Sequence, residues 1–317
     1  LPICILSMFI FIIPLFFYAK LVDRLRRFQP LFMFSFIYGI TGIIFAYFLG
    51  HPSIGILNTQ QSAHRLFGWL FYFFIEGYVP FMVSVFWAFS NSISDQEAAK
   101  KNYGLMVAVS KAGGIASSLC AMGILSWGMH HVSLYSNVVT HQIILVMASV
   151  LSLIIPLIIL LLMKKVPGHQ LHGYEAVYKI EKERQKEGKA DTGMFAGLTM
   201  LIRYPYVLGM FGILFFYEVI NAVVGFQRIR VAEAQSSSIL GLSFFLYQTT
   251  LMFHVLGLLI SLFGTRKLIE VFGEKTCLVI VPAINFLLLI YFLVSFTPFS
   301  FVLASVVTKA VHYAFSY

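Results

Sequence analysis

The chain has few charged residues and few cysteines. Only 11% of its 317 residues are charged, against 59% that are hydrophobic, whereas a soluble domain carries about 25% charged residues. Cys4, Cys120 and Cys277 all lie inside apolar blocks, which argues against a disulfide framework or a cysteine-rich metal site. The sequence also lacks G-x-x-x-x-G-K-[ST], G-x-G-x-x-G and H-E-x-x-H motifs and any Ser/His/Asp grouping. From this sequence we predict that the protein is not an enzyme and that it binds no cofactor or metal ion.

The apolar residues instead form blocks of roughly 18 to 27 residues, long enough to cross a bilayer core of about 30 Å as helices. The alternation expected of a membrane β-barrel is not seen. Because a backbone in lipid must satisfy its own hydrogen bonds, these blocks are predicted to be helical. We predict nine spans, at residues 1–19, 30–49, 66–91, 104–129, 140–163, 204–227, 239–264, 276–297 and 299–317.

One linker is much longer than the others. Residues 164–203 are rich in Lys, Glu and Gln, which is typical of a solvated linker or of an exposed helix with i,i+4 ion pairs. The linker divides the chain into an N-terminal membrane half, 1–163, and a C-terminal membrane half, 204–317. Both ends of the chain lie inside apolar blocks, so we expect it to be cut from a longer protein.

Basic residues are unevenly distributed between the linkers. Those after the odd-numbered spans carry 17 Lys and Arg residues, and those after the even-numbered spans carry three. Since cytoplasmic loops are enriched in Lys and Arg, residues 164–203 are predicted to be cytoplasmic. This topology accounts for the net charge of +9, so no nucleic-acid partner is predicted. The protein is expected to be embedded in the lipid bilayer.

A short pattern recurs at matching places in the two halves. Lys20-Leu21-Val22-Asp23 follows the first span and Lys267-Leu268-Ile269-Glu270 follows the seventh, both on the basic side. An ordinary basic loop is one interpretation. Both copies also resemble the signature loop that major-facilitator transporters place after their second and eighth helices.

That resemblance implies a twelve-helix, major-facilitator-like bundle of two pseudo-symmetric halves. Nine spans would be present: helices 2–6 in the first half and helices 7–10 in the second, with helices 1, 11 and 12 outside this chain. In such folds the substrate site lies near the bilayer midplane between the repeats.

Three stretches carry a more specific similarity. They are residues 83–105, which include Phe86-Trp87, residues 193–218, and residues 313–317. Together they resemble the ATP/ADP translocase family of plastids and obligate intracellular bacteria. The resemblance implies antiport of ATP against ADP, in a bacterial inner membrane or an organelle envelope, although some members import nucleotides with protons.

The chain departs from the family pattern at two acids. The family's helix 4 glutamate would fall on Ile75, next to Glu76, and the stretch matching its helix 7 glutamate has no acid but keeps a cation at Arg228. The nucleotide carried by this protein is therefore not fixed by the resemblance.

Ionisable residues inside spans are costly and usually face a cavity, so they are the candidate substrate-binding residues. We select Glu76, Lys111, Glu218 and Lys309 inside the spans and Arg228 at the end of one, and note Arg230 and His254 beside them. The cations would bind phosphate groups, and the acids would orient the cations or carry protons. Structural interpretations stay open: residues 111–118 also form a small-residue packing face, arginines near helix ends often extend to lipid headgroups, and the acids would also suit ion pairs between helices.

Three functions remain open. The first is a nucleotide exchanger that works by alternating access, driven by counter-substrate or protons. The second keeps the fold but carries another metabolite, drug or peptide, for which a site of amides and aromatics would be expected. The third is a membrane scaffold or membrane enzyme; an enzyme would need a polar catalytic cluster at one membrane face, and the sequence indicates none.

Overall fold

The computed structural model describes most of the chain. The described residues are 28–58, 65–93, 96–131, 136–165, 196–264, 282–295 and 297–315, with Tyr18, Leu21, Leu25, Gln60, Ser62 and Val279. Nearly all of the predicted span 1–19, most of the linker 164–203, the loop after the seventh span and most of the loop after the first span lie outside this set.

Regular structure in the described residues is helical. The α-helices are α1 Phe28–Leu49, α2 Leu66–Tyr78, α3 Ser84–Ile93, α4 Gln96–His130, α5 Ser136–Lys165, α6 Ala196–Arg203, α7 Pro205–Gln235, α8 Ile239–Leu259, α9 Pro282–Ser295 and α10 Pro298–Phe315. Two π-helical segments are π1 Val79–Val83 and π2 Ile260–Gly264.

Six stretches in the described residues are long and apolar enough to cross a membrane. They are Phe28–Leu49, Leu66–Ser90, Gly104–His130, Ser136–Lys165, Pro205–Gln235 and Ile239–Leu262. The prediction of an all-α, multi-pass membrane protein is thereby confirmed. The helices α9 and α10 are shorter apolar helices, so nine spans of an expected twelve stays a prediction.

Helix α7 extends further than the apolar block that predicted it. The block 204–227 ends where polar residues begin, whereas the helix continues to Gln235. Arg230 and Glu233, which follow the block, form an i,i+3 ion pair of 3.7 Å on this extension, a pairing that supports a helix outside an apolar environment. Hydropathy thus located the apolar part of the helix and not its end.

The third predicted span contains an irregular turn. Helix α2 passes into π1 at Val79, and α3 follows at Ser84, so the span Leu66–Ser90 is helical throughout. Pro80 lies in π1. Because proline has no backbone N–H and its ring crowds the preceding turn, it disturbs the regular α-helical hydrogen bonds there.

The chain divides into two compact units. Unit 1 comprises Leu1–Gln96 and His141–Ile213, and unit 2 comprises Glu97–Thr140 and Leu214–Tyr317. Unit 2 thus combines α4, which precedes the charged linker, with α7 from Leu214 onward and α8 to α10, which follow it. The division of the chain into membrane halves 1–163 and 204–317 stays a prediction about the transport mechanism.

In unit 1, helix α1 packs against α2, π1 and α3. The buried core includes Leu31, Phe81 and Val85, and the rings of Phe34 and Phe81 stack with their centroids 5.5 Å apart. On another side of α1, the amide of Gln142 on α5 donates a hydrogen bond of 2.7 Å to the carbonyl of Ala46.

The α1–α5 contact depends on small residues. A Cβ added at Gly39 would lie 2.5 Å from Cγ of Leu153 and 3.2 Å from the carbonyl oxygen of Ser149, both on α5. At Gly42 an added Cβ would overlap the hydroxyl of Ser149. Glycines allow two membrane helices to approach closely, so their backbones make the contact.

Replacing Gly39 by alanine tests this packing. The added methyl group has no room, and overpacking a tight contact costs about 1–3 kcal/mol. We expect Gly39→Ala to lower the unfolding temperature of the purified protein in detergent, measured by size-exclusion chromatography after heating. Gly123→Ala on α4 is the control, because nothing lies within 4 Å of its Cβ position; equal melting of the two variants would contradict the proposed contact.

Candidate functional site

Lys111 lies buried between three helices of unit 2. Its side chain, on α4, is only 4% exposed. Its Cδ and Cε lie 3.6 and 3.7 Å from the position that a Cβ would occupy on Gly257 of α8, and the Cα of Ala310 on α10 lies 3.9 Å from the same point. Two small residues on facing helices therefore leave space for the lysine side chain to extend between them.

His254 lies against the backbone of α4, one turn from Gly257 on α8. A Cβ added at Gly114 would lie 2.5 Å from Nε2 of His254 and 2.6 Å from its Nδ1. Residues three apart share a helix face, so Gly114 and Lys111 on α4 face His254 and Gly257 on α8. Lys111 and Lys309 both act electrostatically on the imidazole.

A narrow pocket opens between α7, α8 and α10 in the same unit. It is lined by Val224, Gly225, Arg228, Thr249, Phe253, Ser305, Val306 and Lys309. Its empty space is at most 220 Å³, below the roughly 300–1,000 Å³ of pockets that enclose a drug-sized ligand. In this conformation the side chains that line the pocket lie close together and leave no room to enclose a nucleotide.

Two cations, Lys309 and Arg228, line this pocket. The Nζ of Lys309 lies over the ring of Phe253, 5.5 Å from its centroid, within the range of a cation–π interaction. Arg228 comes from α7 and acts electrostatically on Lys309. The pocket therefore brings a guanidinium and an ammonium group to one apolar place, where two like charges repel each other.

Glu218 is an acid that acts electrostatically on this arrangement. It lies on α7, and the side-chain amide of Asn221, one turn further on, donates to its carboxylate at 3.2 Å. Its charge acts favourably on Lys309, opposite to that of Arg228. Asn221 therefore helps to orient an acid that partly balances the cations.

The structure brings four of the five predicted residues into one unit. Lys111, Glu218, Arg228 and Lys309 all belong to unit 2. Glu76 belongs to unit 1, where it lies exposed on α2, three residues before π1. Helix α4, which carries Lys111, precedes the charged linker, and α7 and α10, which carry the others, follow it, so the cations come from both predicted membrane halves.

Sequence reasoning missed the residues that hold the cations in place. Phe253 is one of 33 phenylalanines, and nothing in its local pattern distinguishes it from a lipid-facing ring. Gly257 and Ala310 were equally inconspicuous. The small-residue face 111–118 was recognised, but the sequence did not show that Gly114 contacts another helix while Gly113 has nothing within 4 Å.

Within the part of the chain that the structure describes, no group of three or more His, Cys, Asp and Glu residues could hold a metal ion.

Arg230, close to Arg228 in sequence, pairs with Glu233 at the surface. Exposed pairs of this kind contribute about 0–1 kcal/mol. The ionisable groups at the site are therefore the lysines, Arg228, His254 and Glu218.

Long apolar helices with a buried Lys111 and the half-buried Arg228 and Lys309 among them define a multi-pass α-helical membrane protein. A family model described as TLC ATP/ADP transporter matches residues 4–314. The chain belongs to the TLC ATP/ADP transporter family and is a membrane transporter, which confirms the resemblance found in the sequence. No curated protein and no solved structure is similar enough to the chain to count as a match.

The contact at Gly114 provides a test of the site. Gly114→Ala places a methyl group against the His254 ring, so α4 and α8 must separate or the ring must turn, at a cost of about 1–3 kcal/mol. We expect it to slow the uptake of radiolabelled ATP and ADP by proteoliposomes holding equal amounts of protein. Gly113→Ala, one residue away with open space at its Cβ, should transport like the wild type, and equal loss in both variants would disprove the specific contact.

Proposed function

We propose that the protein exchanges ATP and ADP across its membrane and that Lys111, Arg228 and Lys309 bind the phosphate groups of the nucleotide. The observation that carries this proposal is the convergence of three cations from three different helices within one apolar unit of a nucleotide-transporter family member. We name these three residues the cation cluster.

The chemistry of the cluster suits a phosphate chain. The guanidinium of Arg228 can donate two parallel hydrogen bonds to one phosphate group, and the two lysines act as point charges. Ionisable side chains inside a membrane bundle are costly and usually serve a functional site. An anionic cargo brings negative charge to all three cations at once, whereas an uncharged sugar or drug does not.

Repulsion among these cations favours exchange over one-way release. Helix α4 lies before the charged linker and α7, α8 and α10 lie after it, so the cations repel each other between the two predicted membrane halves when no anion is present. A bound nucleotide reduces this repulsion, so the two halves can close around the cargo and then open to the other side of the membrane. Return without cargo would meet the full repulsion, so counter-transport of a second nucleotide is favoured.

The transport cycle that we propose is alternating access in a twelve-helix, major-facilitator-like bundle. Residues 1–163 and 204–317 would form the two moving halves, and the linker 164–203 would connect them in the cytoplasm. The membrane is a bacterial inner membrane or an organelle envelope. Glu218 would orient Lys309 between cargoes, and Glu76 would contribute a second acid to the substrate path.

Removing single charges from the cluster tests the proposal. Hydrogen bonds to charged groups contribute about 1.5–3 kcal/mol, so Lys111→Gln and Lys309→Gln should each weaken nucleotide uptake by roughly ten- to a hundredfold. Uptake of radiolabelled ATP and ADP is measured in proteoliposomes preloaded with unlabelled ADP, using the full-length protein.

Arg230→Gln is the matched control, because it removes a cation of α7 whose partner is the surface acid Glu233. It should leave uptake near the wild-type rate. Wild-type protein that takes up no nucleotide would disprove the function, and wild-type uptake by both lysine variants would disprove the role of the cluster.

The proposed topology can be tested by cysteine labelling. In a variant whose native cysteines are replaced by serine, Ser53→Cys introduces a thiol in the loop between α1 and α2, and Gly188→Cys introduces one in the charged linker. A membrane-impermeant maleimide added to intact cells should label position 53 but reach position 188 only after permeabilisation, since the linker is predicted to be cytoplasmic. The opposite pattern would reverse the orientation.

A further inference from the structure

His254 has a buried nitrogen atom that the structure leaves unused. Its Nδ1 is inaccessible to solvent and has no hydrogen-bond partner among the described residues. The ring lies against Gly114 on one side and has the ring of Phe253 beside it, with centroids 4.4 Å apart. Buried polar atoms are nearly always hydrogen-bonded, so an exception at a functional site needs a specific explanation.

Two lysines lie near His254. Lys111 is one turn from Gly114, which contacts the ring, and the Nζ of Lys309 lies over the ring of Phe253, the residue next to His254. On α7, Arg228 and Glu218 both act on Lys309. A third positive charge on the imidazole would be repelled by both lysines, whereas a neutral imidazole has one donor and one acceptor nitrogen.

A bound nucleotide reduces the repulsion between the lysines and a proton on His254. Its phosphate groups bring several negative charges to the lysines that otherwise repel a proton on His254. Histidine is the side chain whose charge ordinarily changes near neutral pH, and the lysines and arginine of the cluster are the groups that bind phosphate. His254 is therefore the group at this site best suited to respond to the arrival of an anion by binding a proton.

We infer that His254 is a proton-binding site of the transport cycle, which takes up a proton when the phosphate groups of a nucleotide enter the cation cluster and releases it when they leave. The proton becomes a co-substrate that travels with the nucleotide and reduces the net negative charge moved across the membrane. This inference rests on the proposed function, because it requires nucleotide phosphates to bind beside Lys111 and Lys309.

Proton uptake can be counted by isothermal titration calorimetry. Purified full-length protein is titrated with ADP in two buffers of different ionisation enthalpy, such as PIPES and imidazole, at the same pH. The dependence of the heat on the buffer gives the number of protons bound per nucleotide. For the wild type we expect uptake that approaches about one proton per ADP near neutral pH.

His254→Asn is the informative variant, because its amide donates from near the position of Nδ1 but cannot accept a proton. We expect weaker but measurable ADP binding, with proton uptake lowered by the amount assigned to His254. His254→Gln provides a second variant of different length. His130→Asn is the control, since His130 lies at the exposed end of α4 and bonds the carbonyl of Ser126 at 2.7 Å; its proton count should equal that of the wild type.

The outcomes separate the two proposals. If the His254 variants bind ADP with the wild-type proton count, the proton site is disproved and the proposed function stands. If the wild type binds no ADP, both are disproved.

The pH dependence of the wild type tests the inference even if neither variant folds. Its affinity for ADP should fall as pH rises, by up to about tenfold per unit within the range near pH 6 to 8 where histidine loses its proton. Ionisation of the nucleotide itself acts in the opposite direction, because a more negative phosphate chain binds cations more tightly. An affinity that is constant or rises over this range overturns the inference.

Discussion

The close approach of α4 and α8 at Gly114 and Gly257 is the contact on which the candidate site depends. Gly257 leaves space for the side chain of Lys111, and Gly114 allows the His254 ring to lie against the backbone of α4. With larger residues the helices would separate, and neither ionisable group could lie between them. Packing by small residues, which membrane helices use where hydrophobic burial gives no net attraction, here also determines which charges are buried.

The helices were predictable from the sequence, because a long apolar segment in lipid satisfies its backbone hydrogen bonds by forming a helix. The end of α7 was not, since hydropathy reports contact with lipid, whereas the helix continues through Arg230 and Glu233 to Gln235. The cations were also predictable as candidates, because a charge inside an apolar block is conspicuous on energetic grounds alone.

The partners of those cations were not predictable, since each contact joins residues that are far apart in the chain. Lys309 meets Phe253 across two helices, and Lys111 meets Gly257. A pattern with helical period identifies a face of one helix but does not say which face of another helix it meets. The compact units show the same limitation, because α4 belongs with helices that follow a linker of about forty residues.

Glu76 lies apart from the cation cluster, in unit 1. In the described spans of unit 1 it is the acid inside an apolar helix, and it lies one turn before π1 and Pro80. Irregular turns of this kind are frequent at functional sites, and they change the direction of the side chains that follow. The observation gives Glu76 a structural context, while the cations that would complement it all lie in the other unit.

A transporter must bind its cargo without trapping it, and the environment of Lys309 shows how this balance can be reached. A carboxylate in direct contact with the ammonium would compete with every incoming phosphate. The ring of Phe253 interacts with the same ammonium through its quadrupole, an attraction of about 0.5–2 kcal/mol that is weaker than a buried ion pair and places no negative charge at the site. The aromatic ring therefore stabilises the cation in the empty protein, yet it leaves most of the electrostatic attraction for the nucleotide.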